Sequence, residues 1–241
     1  MAQGRRRKGI MIHHYSKKVT VKRTISLLML MLIFSSLVLT SCDQVRSVQL
    51  FTKPANPGEL VFEDDFSTPP NGWGTMERDG GEISFVYDGM MFSIFLPNFM
   101  YWSVNGNDHT DTRIEVDAVL ADGPTNDNFG VICRFQDDRN FYGFVLSHDG
   151  YYGIFKYVDG RMVMASDDGN MGFSDAIRRG GVVNRLQATC KGNVLTLSAN
   201  DVLLAEVVDD SFRSGKIGLI AGAYDEPGVV VFFDNFKVYQ P

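Results

Sequence analysis

The sequence predicts an all-β fold, a two-sheet antiparallel jelly-roll sandwich, and three observations carry that prediction. From Leu60 to Tyr239, about 14 short segments of strand character follow one another. Turn pairs such as Asp88-Gly89, Asp149-Gly150 and Asp159-Gly160 separate them. No amphipathic helical window of useful length interrupts the series, and many close-spaced strands without helices mean a sandwich or barrel.

The elements justify themselves in order. Leu60–Asp64 opens the series, followed by Glu82–Tyr87, Met90–Leu96, Met100–Val104 and Thr112–Leu120. Arg113-Ile114-Glu115-Val116-Asp117 alternates cleanly, as an edge or one-sided strand does. Phe129–Phe135, Phe141–Ser147, Tyr151–Val158 and Arg161–Ala165 form the middle group. Residues 166–183 are irregular, with room for a short helical turn at Ser174–Arg179. Asn184–Cys190, Val194–Ala199, Val202–Val208, Lys216–Ala223 and Val229–Tyr239 close the chain. Phe141–Val145 and Val229–Phe233 are apolar on both faces and are expected to be central.

The N-terminal segment has a different composition. All eight Lys/Arg of residues 1–41 precede a 15-residue apolar run from Ile25 to Leu39, and no Asp or Glu accompanies them. A basic region before a short apolar core is a secretory signal. Leu39-Thr40-Ser41-Cys42 then looks like a bacterial lipobox. That resemblance implies cleavage before Cys42 and a lipid on its sulfur, with two or more acyl chains holding the protein stably to a membrane. The expected organisation is a lipoprotein signal peptide over 1–41, a lipidated Cys and tether over 42–59, and the sandwich domain over 60–241. The domain then faces the extracytoplasmic side.

Residues 42–241 carry 15 basic and 29 acidic side chains, a net −14. This argues against a nucleic-acid partner, which needs a basic field. With Cys42 modified, Cys133 and Cys190 remain as an even pair in a compartment that permits disulfides. A bridge between them is the favoured reading if their strands are neighbours, and two buried thiols are the alternative.

Several stretches carry a family likeness. Phe62-Glu63-Asp64-Asp65-Phe66 with Trp73 opens the domain. Phe129-Gly130-Val131-Ile132-Cys133-Arg134-Phe135, then Asn140-Phe141-Tyr142-Gly143-Phe144, then Asp149-Gly150-Tyr151-Tyr152 occupy its middle. Asn184-Arg185-Leu186 and Gly192-Asn193-Val194-Leu195 follow, and Phe232-Phe233-Asp234-Asn235-Phe236-Lys237-Val238-Tyr239 ends it. Together they resemble a concanavalin A-like, LamG-like jelly roll of bacterial exported proteins and are similar to the 3-keto-disaccharide hydrolase domain family. The resemblance implies two stacked antiparallel sheets with the first and last strands adjacent. It also implies a possible structural calcium where those strands meet, held by Asp64 or Asp65 and Asp234. A hydrogen bond from Asp234 to nearby backbone is the competing reading.

Catalytic motifs are incomplete. Glu115-Val116-Asp117 resembles part of the Glu-x-Asp-x-x-Glu strand of jelly-roll glycoside hydrolases, but Leu120 stands where the third carboxylate belongs. After Cys42 the histidines are His109 and His148; His148 reads as a hairpin turn residue, and no Gly-x-Ser-x-Gly elbow occurs. No zinc-ligand spacing and no phosphate loop is present.

The sequence therefore points first to a carbohydrate-binding module. A hydrolase on the same fold and a protein-interaction ectodomain are the alternatives. A sugar site needs aromatic planes and charged or amide groups. If Phe135 pairs with Phe141, Arg134 lies opposite Tyr142, and the next hairpin puts Lys156 beside Tyr142. Arg134, Tyr142 and Lys156 are then a row on an open face, with Trp102 and Tyr151 as further aromatic candidates. If the parity is inverted, Phe135, Phe141 and Tyr157 take their place. For the N-terminus the expected outcome is direct: metabolic labelling with a clickable fatty acid marks the wild type and not Cys42→Ala. Equal labelling of the two would sink the lipobox reading.

Overall fold

The computed structural model describes residues 56–68, 72–165 and 169–241; Cys42 and the signal segment lie outside the described residues. Sixteen strands run through them. They are β1 (Leu60–Asp64), β2 (Met76–Arg78), β3 (Gly81–Val86), β4 (Gly89–Ile94), β5 (Phe99–His109), β6 (Thr112–Asp122), β7 (Asp127–Asp137) and β8 (Asn140–Leu146). The second half holds β9 (Tyr151–Val158), β10 (Arg161–Met164), β11 (Gly172–Phe173), β12 (Asn184–Lys191), β13 (Val194–Ala199), β14 (Val202–Val208), β15 (Gly215–Ala223) and β16 (Val229–Tyr239). The short strands β2 and β11 escape the sequence pattern, and Ser174–Arg179 contains a turn rather than a helix.

The strands form two antiparallel sheets. The nine-stranded sheet runs β14-β13-β12-β6-β16-β4-β3-β2, with β1 also on β16. The seven-stranded sheet runs β10-β9-β8-β7-β15-β5, with β11 also on β9. The first and last strands are adjacent through Asp64↔Phe236 and Glu63↔Lys237. Strands β8 and β16 are central, as their two-sided apolarity requires. Strand β6 is central too, and its alternation marks one buried and one outward face rather than an edge.

That alternation builds the core. Strand β6 turns Ile114, Val116, Ala118 and Leu120 inward, and β12 and β13 add Leu186, Ala188, Leu195 and Leu197. The facing sheet supplies Phe129, Val131, Phe144, Leu146, Ile154 and Leu219. Each such side chain contributes about 1.5–3 kcal/mol on burial. Two-residue hairpin turns fix the registers. Tyr87-Asp88, Asp159-Gly160 and Asn200-Asp201 all have positive φ at both positions, the type I′ conformation that matches strand twist. Gly89 is not in the first of these turns but just after it, where a Cβ would fall 2.0 Å from the Phe232 ring.

Cys133 and Cys190 are bridged, with Cα atoms 6.9 Å apart. The two strands are neighbours, but across the sandwich rather than within a sheet: Cys133 is on β7 and Cys190 on β12. The bridge therefore fastens one sheet to the other through the core, closing a sequence separation of 57. A Cys133→Ala, Cys190→Ala variant should lose roughly 2–5 kcal/mol of stability. Urea unfolding checks this, and an unchanged midpoint would show that the sheets hold together without the bridge.

Candidate functional site

The seven-stranded sheet is apolar on its outer face as well as its inner one. One row across six strands reads Val104, Gly218, Ile132, Gly143, Phe155 and Met164. The next reads Trp102, Ile220, Gly130, Val145 and Gly153. Glycines between large residues let side chains lie flat. A Cβ on Gly143 would sit 2.2 Å from the Phe155 ring, and one on Gly153 would meet Met164 at 2.6 Å. Ile132, Phe135, Phe141, Val145, Phe155 and Ile220 are buried in this second cluster.

The cluster is covered by half-buried side chains. Tyr157 stacks on Phe141 at 4.8 Å between centroids, and Trp102 lies 5.3 Å from the same ring. The Trp102 indole N–H donates to Asp138 at 3.0 Å, which fixes the plane of the ring. Burial pushes the Tyr157 phenol up from its ordinary pKa. Beside Trp102, the β5 edge opens into a cleft of about 410 Å³ lined by Met76, Arg78, Ile83, Phe99, Tyr101 and Asp138. At the other end Met100, Met164 and Met171 pack on the cluster. An apolar floor, tilted aromatic planes and a few polar groups at the margin are what a sugar-binding surface needs.

The row Arg134, Tyr142 and Lys156 is not on this face. Lys156 is opposite Tyr142 as expected, but Cys133, not Arg134, is Tyr142's partner in β7. A bulge between Cys133 and Asp137 displaces the register, and Arg134 sits in it with φ 52°. Tyr142 then faces the main core at 0% exposure and Arg134 is 2% exposed. Their polar atoms are engaged on the segment after β14 and, for Arg134, also on the turn between β5 and β6. Tyr142 donates to Asp209 at 2.5 Å and accepts from the Phe212 N–H at 3.1 Å. Lys156 pairs with Asp209 and donates to Ser211 at 2.9 Å. Arg134 donates to the carbonyls of Thr110 (3.1 Å) and Phe212 (2.9 Å) and pairs with Asp111 at 3.2 Å. These three residues are a clamp on the 209–214 segment. The opposite parity, Phe135, Phe141 and Tyr157, faces outward.

Of the other candidates, Trp102 belongs to the outer face, while Tyr151 lies beyond Met171 and packs edge-on against Phe173 at 5.4 Å. Asp64 is buried, with one oxygen accepting from the Phe66 N–H (2.7 Å) and the other from the Trp73 indole (3.0 Å). Asp65 accepts from Ser67, and Asp234 accepts from the Asn235 N–H at 2.6 Å. Among the described residues, no three His, Cys, Asp or Glu side chains gather where they could hold a metal ion. Both Asp64 oxygens are thus engaged by protein donors.

Glu115 and Asp117 project from the outer side of the nine-stranded sheet, away from the aromatic face. Glu115 pairs with Arg113 at 3.4 Å, and Asp117 with Arg185 at 3.1 Å. His148 lies in the turn between β8 and β9, as its sequence position indicates, and it is buried there. Its fully buried ring stacks on Phe129 at 4.0 Å and meets Asp127 at 2.7 Å, where burial pushes the Asp127 carboxyl up. The Ser147 hydroxyl contacts Asp127, Asp149 and Thr125, so this trio closes the β8–β9 end of the sandwich rather than presenting a nucleophile.

Fold and face together define a jelly-roll β-sandwich with an aromatic outer sheet. No protein-family model matches the chain, and no curated protein matches it in sequence. Among solved structures, it is similar to the carbohydrate binding module CBM66 from Bacillus subtilis. That match has 17% identity and a TM-score of 0.58 over 70% of this chain and 96% of the other. A Bacillus subtilis protein of unknown function with a galectin-like fold matches at 14% identity and TM-score 0.54, over 77% and 97%. A Bacillus licheniformis beta-glucanase matches at 12% identity and TM-score 0.53, over 77% and 100%. At these identities the likeness is one of fold.

The clamp has a pH signature. Burial would raise the Asp209 carboxyl, but hydrogen bonds from Lys156, Tyr142 and Ser211 outweigh it and hold the carboxyl well below its ordinary range. Burial and the bond to Asp209 push the Tyr142 phenol up to about 12. A carboxyl lowered on folding adds stability above its unfolded pKa, roughly 4, and loses it as pH falls toward the folded value. Asp209→Asn should therefore destabilise at neutral pH and flatten the acid decline below about pH 4. Urea midpoints from pH 7 to pH 2 test it, and parallel curves for wild type and variant would refute it. Tyr142→Ala should cost about 3–5 kcal/mol as a core truncation.

Proposed function

We propose that this chain is a glycan-binding module, held on the extracytoplasmic side of a membrane through a lipid on Cys42, and that it binds through the outer face of the seven-stranded sheet. The observation that carries the reading is the covering layer of that face. Trp102 and Tyr157 are partly exposed, rigidly seated over buried Phe141, and flanked by a cleft with Arg78 and Asp138 at its margin. A sugar ring stacks its C–H face on such planes and directs hydroxyls to the rim. The jelly-roll likeness to a carbohydrate binding module supports the same reading. The pairing of Glu115 and Asp117 with arginines on the opposite side supports binding over hydrolysis.

A glycan array with the exported protein should identify a polysaccharide ligand. Trp102→Ala and Tyr157→Ala should each weaken its binding by about 1–3 kcal/mol while the protein stays folded. Arg185→Ala, on the other sheet, should bind as wild type. Folded Trp102 and Tyr157 variants with undiminished binding would place the ligand elsewhere.

A further inference from the structure

The outer face of the seven-stranded sheet continues past the methionines. Two residues beyond the pair Val145↔Gly153, Ser147 stands opposite Tyr151, and its N–H donates to the Tyr151 carbonyl at 2.8 Å. Asn126 and Tyr224 lie just past Asp127↔Ala223, the last pair of β7 with β15. These side chains, with Asp149 and Met171, line a pocket of about 540 Å³. Small-molecule sites occupy roughly 300–1,000 Å³, so the space fits a sugar ring. Met171 and Tyr224 also line the hollow beside Tyr157, which makes the pocket contiguous with the surface proposed above for glycan.

Its walls are open to solvent and held in place. Tyr151 is 45% exposed, and its ring rests edge-on against Phe173. The Ser147 hydroxyl donates to Asp149 Oδ1 at 2.6 Å, and the Tyr151 N–H approaches the same oxygen at 3.5 Å. Both contacts fall on Oδ1, so Oδ2 of this half-buried carboxylate is left for a ligand. The exposed Asn126 donates its amide N–H to Asp225 at 2.7 Å, which leaves Asn126 Oδ1 as an acceptor. The Tyr224 hydroxyl spends its proton on the Met171 sulfur at 3.0 Å. Beneath them the buried pair of His148 and Asp127 anchors the turn that carries Ser147 and Asp149.

The unspent groups are therefore mostly acceptors, and their charge is negative. Among the described residues that line the pocket, Asp149 is the one carboxylate and none is Lys, Arg or His. Asp225 adds a second carboxylate behind Asn126, while the nearby Arg179 pairs with Asp175 and lies over the Phe173 ring. Burial, and after it the charges of Asp127 and Asp149, push the Tyr224 phenol up from its ordinary pKa. From this wall we infer that the pocket takes a primary ammonium group carried on a sugar ring, so that the glycan bound here contains amino sugar units with a free amine. The inference rests on the glycan reading of the face and specifies which sugar that face selects. An ammonium has three N–H donors and no acceptor, the complement of Asp149 Oδ2 and Asn126 Oδ1. Its bond to Asp149 is charge-assisted, and the Tyr151 ring offers it a π face. An N-acetyl group removes the charge and brings a carbonyl oxygen to a wall of acceptors. A hydroxyl in the same place keeps one donor and no charge.

The test uses three series that differ only at carbon 2: glucosamine, galactosamine and mannosamine, each beside its N-acetyl derivative and its neutral parent hexose. At about pH 6 an amine of ordinary basicity is protonated. NMR titration of the folded exported protein should find at least one amino sugar about tenfold or more tighter than both of its counterparts. Added salt should narrow that margin. Asp149→Asn, which keeps an oxygen for Ser147, should bring the amino sugar down to the affinity of its parent, and Tyr151→Ala should weaken both. Equal affinities within all three series, or a margin that survives in folded Asp149→Asn, overturn the inference. Ethanolamine binding as tightly as the best amino sugar overturns it too, because the ring would then go unread. If polysaccharide still binds in a Trp102-dependent way under those outcomes, the glycan reading survives them. If neither monosaccharide nor polysaccharide binds, both fall.

Discussion

Strands β7, β8 and β9 carry apolar side chains on both faces, and the nine-stranded sheet covers only one of them. The uncovered face would expose Ile132, Phe135, Phe141 and Phe155 to water unless something lay over them. The chain resolves this with its own side chains. Glycines at 143 and 153 lower the sheet surface so that Phe155 and Met164 can recline, and Trp102 and Tyr157 roof Phe141. The roof is only partly sealed, because side chains from one sheet cannot exclude water as a second sheet does. A partly sealed aromatic roof is also the surface proposed above for glycan recognition. On that proposal, core chemistry and binding chemistry are the same residues seen from two sides.

The other side of the same sheet meets a different demand. Near the β7 bulge, a guanidinium, a phenol and an ammonium all point toward the sandwich interior. Buried charge is tolerable only with partners, and Asp209, Asp111 and the Thr110 and Phe212 carbonyls supply them. The irregular 209–214 segment thereby gains a fixed position that its short sequence would not specify alone. Gly215, just after it, has φ 146° and approaches the Arg134 backbone so closely that a Cβ would sit 2.6 Å from the Arg134 carbonyl carbon. Bulge, glycine and clamp form one local solution.

Much of this was legible in the residues, and the failures have specific causes. Alternation in Arg113–Asp117 and turn pairs such as Asp159-Gly160 reveal the sandwich because both are local signals. The pairing of Tyr142 with Lys156 follows from one hairpin and can be counted along the chain. The face of Tyr142 cannot be counted past Arg134, because a bulge slips the register and a non-glycine residue at positive φ leaves no mark in the sequence. His148 and Asp127 are 21 residues apart and meet only when β7 and β8 are in register. The aromatic face itself was visible as the parity opposite to the expected one. Its methionines were not, since Met100, Met164 and Met171 come from separate parts of the fold and thioethers carry no motif.

The Cys133–Cys190 bridge encloses β8 through β11 and the long irregular passage before β12. A backbone cut anywhere in that enclosed stretch leaves two fragments that remain one covalent molecule. The piece bearing Trp102 and Phe129 stays linked to the piece bearing β15 and β16. A nicked copy of this domain would not shed half of its aromatic face. Its persistence is thus governed by thiol chemistry as much as by the integrity of its chain.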